Sequence, residues 1–195
     1  LQPTAASHRR AMILEVMGRD AGHIALNAGI AGGADVILIP EIPYSIKGIA
    51  KHIEKIRSEG RNHALIVVAE AVKKEDGKKA TVKFVDGEVR LGGIGAYLGD
   101  KIYKLTDAET RVTVLGHVQR GAQPTHRDRL IASAFGVKAV DLIANGKFNR
   151  VVVWQDRSVK DVSLNDIAGK SQTLSKNDPL IEVAIALGIY IGDIN

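Results

Sequence analysis

Five short apolar runs recur along the 195-residue chain: Ala11 to Val16, Asp35 to Ile39, Ala64 to Ala69, Val112 to Leu115 and Val151 to Gln155. They are nearly continuous rather than alternating in and out, the mark of strands covered on both faces. Helical patterns separate them. Ile46, Ile49, Ile53 and Ile56 fall at spacings of three and four, as do Ile131, Phe135, Ala139 and Leu142. A last helix opens with Asp178 as N-cap and Pro179 at its first position, with Leu180, Val183, Ala184 and Leu187 as its expected stripe. Strand and helix repeated in this order specify an α/β fold with a layered, largely parallel sheet.

Two places break the rhythm. Lys73 to Arg90 opens with the charged stretch KKEDGKK and reads as a hairpin insertion, Thr81 to Val85 and Glu88 to Leu91, turning at Asp86-Gly87. At the start, Leu1 is expected to lead almost directly into a buried-type strand with no element before it. A sheet that starts this way reads as cut out of something larger.

Composition narrows the function. Without any Cys there is neither a disulfide framework nor a thiolate site, which fits a cytoplasmic location. The opening LQPTAASHRR lacks an apolar signal core, and no apolar run approaches the roughly 20 residues of a membrane helix, so no membrane partner is expected. A net charge of +5 suits an anionic ligand. The charges are scattered and aromatics are only 4%, which argues against nucleic acid, whose unpaired bases need stacking partners.

Two strand ends share a pattern. Ala11 to Val16 is followed by Met17-Gly18-Arg19-Asp20-Ala21-Gly22, and Val112 to Leu115 by Gly116-His117-Val118-Gln119-Arg120-Gly121. Ligands of open parallel sheets bind beyond the carboxyl ends of strands. This places Arg19, His117 and Arg120 at one candidate pocket, where guanidinium forks match phosphate oxygens. Gly18, Gly22, Gly116 and Gly121 would allow close backbone approach. Glu70, closing Ala64 to Ala69, could accept bonds from sugar hydroxyls. Arg10 and Arg111 stand at the opposite strand ends. At ~3.3 Å per residue, about 20 Å separates Arg111 from His117. The two arginines are therefore expected to complete the pocket of a neighbouring subunit. Gly93-Ile94-Gly95 hints at a dinucleotide fingerprint but fails at Leu98. The remaining histidines show no metal spacing, and no P-loop or serine elbow appears.

These residues carry a family resemblance. Arg9 to Glu41, RRAMILEVMGRDAGHIALNAGIAGGADVILIPE, resembles the phosphofructokinase segment built around Met-Gly-Arg. Arg111 to Leu130, RVTVLGHVQRGAQPTHRDRL, resembles that family's sugar-phosphate signature. The resemblance implies a sheet of the phosphofructokinase type with the N-terminal half of the fold missing. Residues 1–125 become a fructose 6-phosphate-binding domain, with the insertion at about 73–92. Residues 126–177 would pack on the missing donor domain, and 178–195 form a returning helix.

The implied roles follow by position. Met17, Gly18 and Arg19 line the fructose 6-phosphate site, Arg19 also being a candidate transition-state stabiliser. Glu70 binds sugar hydroxyls, while His117 and Arg120 hold the 6-phosphate. Arg10 and Arg111 reach in from the adjacent subunit of a homo-oligomer, a dimer or tetramer with shared sites. The missing half would supply the catalytic base, most ligands of the Mg2+ cofactor, and the site for the donor, ATP or pyrophosphate. The hairpin insertion and the RVTVLGHVQRGAQPT stretch lean towards the group that includes pyrophosphate users. Two positions depart from the family: Ala122 replaces a second glycine, and Glu59 replaces a lysine in the segment resembling the bacterial allosteric cluster, Glu59-Gly60-Arg61-Asn62-His63. The implied whole is a 6-phosphofructokinase of which this piece alone should not turn over. The alternative is a non-catalytic sugar-phosphate-sensing module. Apolar surface left uncovered by the missing half is expected to make the piece self-associate.

Overall fold

The computed structural model describes residues 1–83, 85 and 87–193. The chain forms two compact units, one of Leu1–Gln119 with Gln172–Asn195, the other of Arg120–Ser171.

The first unit is built on four parallel strands, β1 (Ala11–Val16), β2 (Val36–Leu38), β3 (Ala64–Ala69) and β6 (Thr110–Val114), in the order β2-β3-β1-β6. Every residue of β3 is buried, as are all of β1 except the half-buried Leu14. This explains why both read as unbroken apolar runs: side chains on the two faces alternate, and both faces are covered.

Helix α3 (Ile46–Ser58) buries Ile46, Ile49, Ile53 and Ile56, the stripe its spacing predicts. Its start is fixed by the Ser45 hydroxyl, which accepts from Gly48 N at 3.1 Å, and by Glu75 Oε1, which accepts from Ile46 N at 3.0 Å. Helix α2 (His23–Ala31) packs beside β2, β3 and helix α7 (Pro179–Ala186). In α7 the Asp178 carboxylate caps the first turn at Leu180 N, 2.9 Å away. Its buried residues are Ile181 and Ala184, whereas the expected Val183 and Leu187 are exposed. A helix this apolar all round gives no clean stripe from which to read its inner face.

Glu15, the fifth of the six residues of β1, is a carboxylate only 2% exposed. Its Oε1 accepts from Gly93 N at 3.0 Å and its Oε2 from Gly95 N at 2.8 Å. Both amides belong to the free N-terminal donors of helix α4 (Ile94–Thr106), where negative charge is favoured. A Cβ on Gly95 would lie 2.8 Å from Val112 Cγ1 and 3.1 Å from Glu15 Oε2. Gly95 therefore serves helix-on-strand packing, while Gly93 supplies the left-handed N-cap, φ 86°, that opens the helix.

Three expectations are corrected. A helix, α1 (Gln2–His8), precedes β1; it is seven residues long and buries only Ala5, too little for a periodic signal. The run at Val151 to Gln155 is not part of the parallel sheet. As β7 (Arg150–Gln155) it pairs antiparallel with β8 (Ser158–Ser163) in the second unit. Asp156 and Arg157 turn the hairpin with φ of 51° and 59°, the left-handed pair of a type I′ connection. The charged insertion does hold a hairpin, β4 (Thr81–Lys83) with β5 (Val89–Leu91), shorter than expected. Phe84 and Asp86, in the expected first strand and turn, lie outside the described residues.

In the second unit, helix α5 (His126–Ala144) starts with a capping box. Thr125 Oγ1 accepts from Asp128 N, and the Asp128 carboxylate accepts from Thr125, which holds it below the usual carboxylate range. The expected stripe is its more buried side, ending at Leu142. Asp161 of β8 joins Arg150 at 2.8 Å and Lys138 at 3.3 Å. Leu130, Val137, Val140, Ile143 and Phe148 are exposed.

Candidate functional site

Because β1, β3 and β6 run parallel in one register, their carboxyl ends meet at one edge. Two bonds extend the ladder there, Glu70 N to Val16 O at 2.9 Å and Leu115 N to Glu15 O at 3.1 Å. The loop Met17–Arg19, the Glu70 side chain and the turn carrying His117 are thus neighbours.

The loop after β1 is held by side chains from both adjacent strand ends. Glu70 Oε1 accepts from Gly18 N at 3.2 Å and from Arg19 N at 3.0 Å, while Gln119 Oε1 accepts from Met17 N at 2.8 Å. Arg19 takes a left-handed backbone, φ 49°, uncommon outside glycine and worth of order 1–2 kcal/mol of strain. A Cβ on Gly18 would sit 2.5 Å from Ala21 O, so no side chain fits. Successive amides ending in a left-handed residue commonly cradle anions. Here all three are already bound to protein oxygens. Recognition of an anion by this loop therefore falls to the Arg19 side chain, which is exposed, as is His117. Next to the loop, Lys79 pairs with Asp20 and lowers its carboxyl below the usual range.

Of the predicted residues, Gly22 is closed to a ligand, and Arg10 and Arg111 stand at the opposite edge. Gly22 donates to Glu41 Oε1 at 3.0 Å, and a Cβ there would fall 2.3 Å from Ile39 Cβ; it is a packing glycine rather than one that admits a ligand. Arg120 is exposed and opens the second unit. Arg10 and Arg111 stand at the amino-terminal edge, next to the first residues of β1 and β6. They share Glu109: Arg10 Nε donates to Oε2 at 2.8 Å, and Arg111 pairs with Oε1. The bond from Arg10 holds the Glu109 carboxyl below its ordinary range. Reasoning from sequence missed Glu109, Gln119 and Glu15. Glu109 alone carried a local signal, an acid two residues before Arg111.

Arg61, in the segment resembling the bacterial allosteric cluster, pairs with the nearly buried Asp35, whose Oδ2 also accepts from Leu65 N at 2.8 Å. Among the described residues no three His, Asp or Glu side chains converge to hold a metal ion. Among them, too, no helix is long and apolar enough to cross a membrane.

A four-stranded parallel sheet brings a glycine-arginine loop, a carboxylate and a histidine to one carboxyl edge, the place where open α/β sheets bind their ligands. Residues 1–143 match the family model described as Phosphofructokinase. The chain belongs to the phosphofructokinase family. It is 55% identical over 190 residues to ATP-dependent 6-phosphofructokinase 1 of Nostoc sp., covering 97% of this chain and 53% of that protein. The Synechocystis sp. ATP-dependent 6-phosphofructokinase 1 is 52% identical with the same coverage. The chain thus spans about half the length of the curated relatives it matches. Among solved structures, phosphofructokinase from Saccharomyces cerevisiae superposes with TM-score 0.70 at 30% identity, over 95% of this chain and 23% of that one. A pyrophosphate-dependent phosphofructokinase from Nitrosospira multiformis shares the fold, with TM-score 0.72 at 21% identity over 97% and 51%.

Proposed function

We propose that this chain is the fructose 6-phosphate-binding part of a 6-phosphofructokinase that transfers a phosphoryl group to O1 of the sugar. The observation that carries the reading is the convergence of Arg19, Glu70 and His117 at one sheet edge, on a loop whose backbone is fixed before any ligand arrives. Glu70 keeps its second oxygen for sugar hydroxyls, while His117 and Arg120 supply positive or donor groups to the 6-phosphate. Arg19, on the strained residue, meets the charge that develops during transfer. Met17 and Gly18 line the same wall.

Arg10 and Arg111, about a strand's length away, serve the site of a neighbouring subunit, held together as a pair by Glu109. The protein works as a homo-oligomer. The donor, Mg2+ and the base belong to the part of the enzyme beyond this chain, against which residues 126–177 pack; the exposed apolar residues of α5 support that role. The relatives at 55% and 52% identity are named ATP-dependent, which favours ATP over pyrophosphate as the donor. The setting is the cytoplasm.

In the full-length enzyme, Arg120→Ala is expected to weaken sugar-phosphate affinity by about 1.5–3 kcal/mol, the range for a hydrogen bond to a charged group. Steady-state kinetics reads it as a raised KM for fructose 6-phosphate. An unchanged KM would overturn the assignment.

A further inference from the structure

The loop Met17–Arg19 cannot hold itself. Among the described residues its one local bond is Ala21 N to Gly18 O at 3.2 Å, and its last residue is in a left-handed conformation that side chains disfavour. The Glu70 carboxylate fixes two of its amides. The third, Met17 N, is fixed by the Gln119 amide oxygen at 2.8 Å, across 102 residues of chain. That bond is part-buried, where the exchange with water that weakens surface bonds is reduced. Among the described residues it is also the one side-chain bond that ties the loop after β1 to the turn carrying His117. Glu70 acts on the same loop from β3, so the loop is clamped from both flanking strands.

We infer that Gln119 is a positioning residue, which keeps the Met17–Arg19 loop and the His117 turn in fixed register for a sugar phosphate. Gln119 touches no ligand in this role. Its oxygen is taken by Met17 N, and it acts through the loop. Without it, Met17 N becomes an unpaired donor, and the loop has to be ordered at the moment of binding, so the ordering cost is drawn from affinity. A site preorganised by two arms loses one of them. The inference rests on the sugar-phosphate reading above.

Three variants of the full-length enzyme test it. Gln119→Leu removes the acceptor at nearly constant volume, Gln119→Asn keeps the amide but shortens it by one methylene, and Gln119→Glu keeps an acceptor at the same reach. Leu and Asn are expected to raise the KM for fructose 6-phosphate about tenfold while the KM for the phosphoryl donor stays within about twofold. Glu is expected to restore most of the loss. A residue that served only overall stability would lower the active fraction, and with it apparent kcat, without separating the two KM values. If Gln119→Leu does not fold, Gln119→Asn beside Gln119→Glu decides the matter by the same KM ratio. A sugar KM unchanged in the folded variants, or a loss that Glu fails to rescue, overturns the inference. Wild-type enzyme that never saturates with fructose 6-phosphate would instead overturn the proposed function.

Discussion

Glu70→Ala is expected to lower kcat/KM for fructose 6-phosphate by a hundredfold or more in the full-length enzyme. At 1.4 kcal/mol per factor of ten, that is about 2.8 kcal/mol of lost transition-state stabilisation. The size follows from two jobs done by one carboxylate. Oε1 binds Gly18 N and Arg19 N and so holds a backbone that is otherwise disfavoured at Arg19. The second oxygen faces the sugar in the proposed complex. Alanine removes both, leaving two amides without an acceptor and Arg19 free to leave its left-handed conformation. Glu70→Gln keeps an acceptor for the loop but not the charge, and should cost about tenfold. Kinetics with each substrate varied in turn separates the effects: the donor KM should hardly move. Equal activity in wild type and Glu70→Ala would mean that the loop is held by something else.

The largest effect on stability is expected at Glu15, which no reading of the site uses. Glu15→Ala leaves Gly93 N and Gly95 N unpaired beneath the start of α4 and removes the negative charge that favours that helix end. An unsatisfied buried donor costs about 1–3 kcal/mol. Two of them place the loss at about 2–6 kcal/mol, measurable by denaturant unfolding of the full-length protein. A loss below about 0.5 kcal/mol would show that water reaches both amides and that the carboxylate is not needed there.

Glu15 also shows where reading the sequence stops. Its place in AMILEV looks like one polar residue interrupting a strand, and its partners lie 78 and 80 residues away. Gly93-Ile94-Gly95 looks like half of a ligand motif because a glycine that caps a helix and one that admits it against a strand resemble glycines that admit a phosphate. The central strands were legible because burial on both faces leaves an unbroken apolar run. The same run at Val151 to Gln155 was misassigned to the parallel sheet, since a hairpin strand of Val and Trp carries the same composition. What separates them is Asp156-Arg157, a two-residue turn in which Asp suits the left-handed backbone but Arg stands where glycine would have announced it. That Arg19, Glu70 and His117 share one edge was legible in the sequence because strand ends in a parallel sheet point to one place. Gln119 was not, because its partner is a backbone amide, which has no letter in the sequence.

Calorimetric titration of the full-length protein with fructose 6-phosphate, beside its His117→Ala variant, tests the central claim most directly. His117 is exposed, so the substitution should leave the fold intact. The proposed function predicts saturable binding in the wild type, at least tenfold weaker binding in the variant, and the same affinity for magnesium-ATP in both. Equal sugar-phosphate affinity in the two proteins would contradict it and place the sugar site elsewhere in the enzyme.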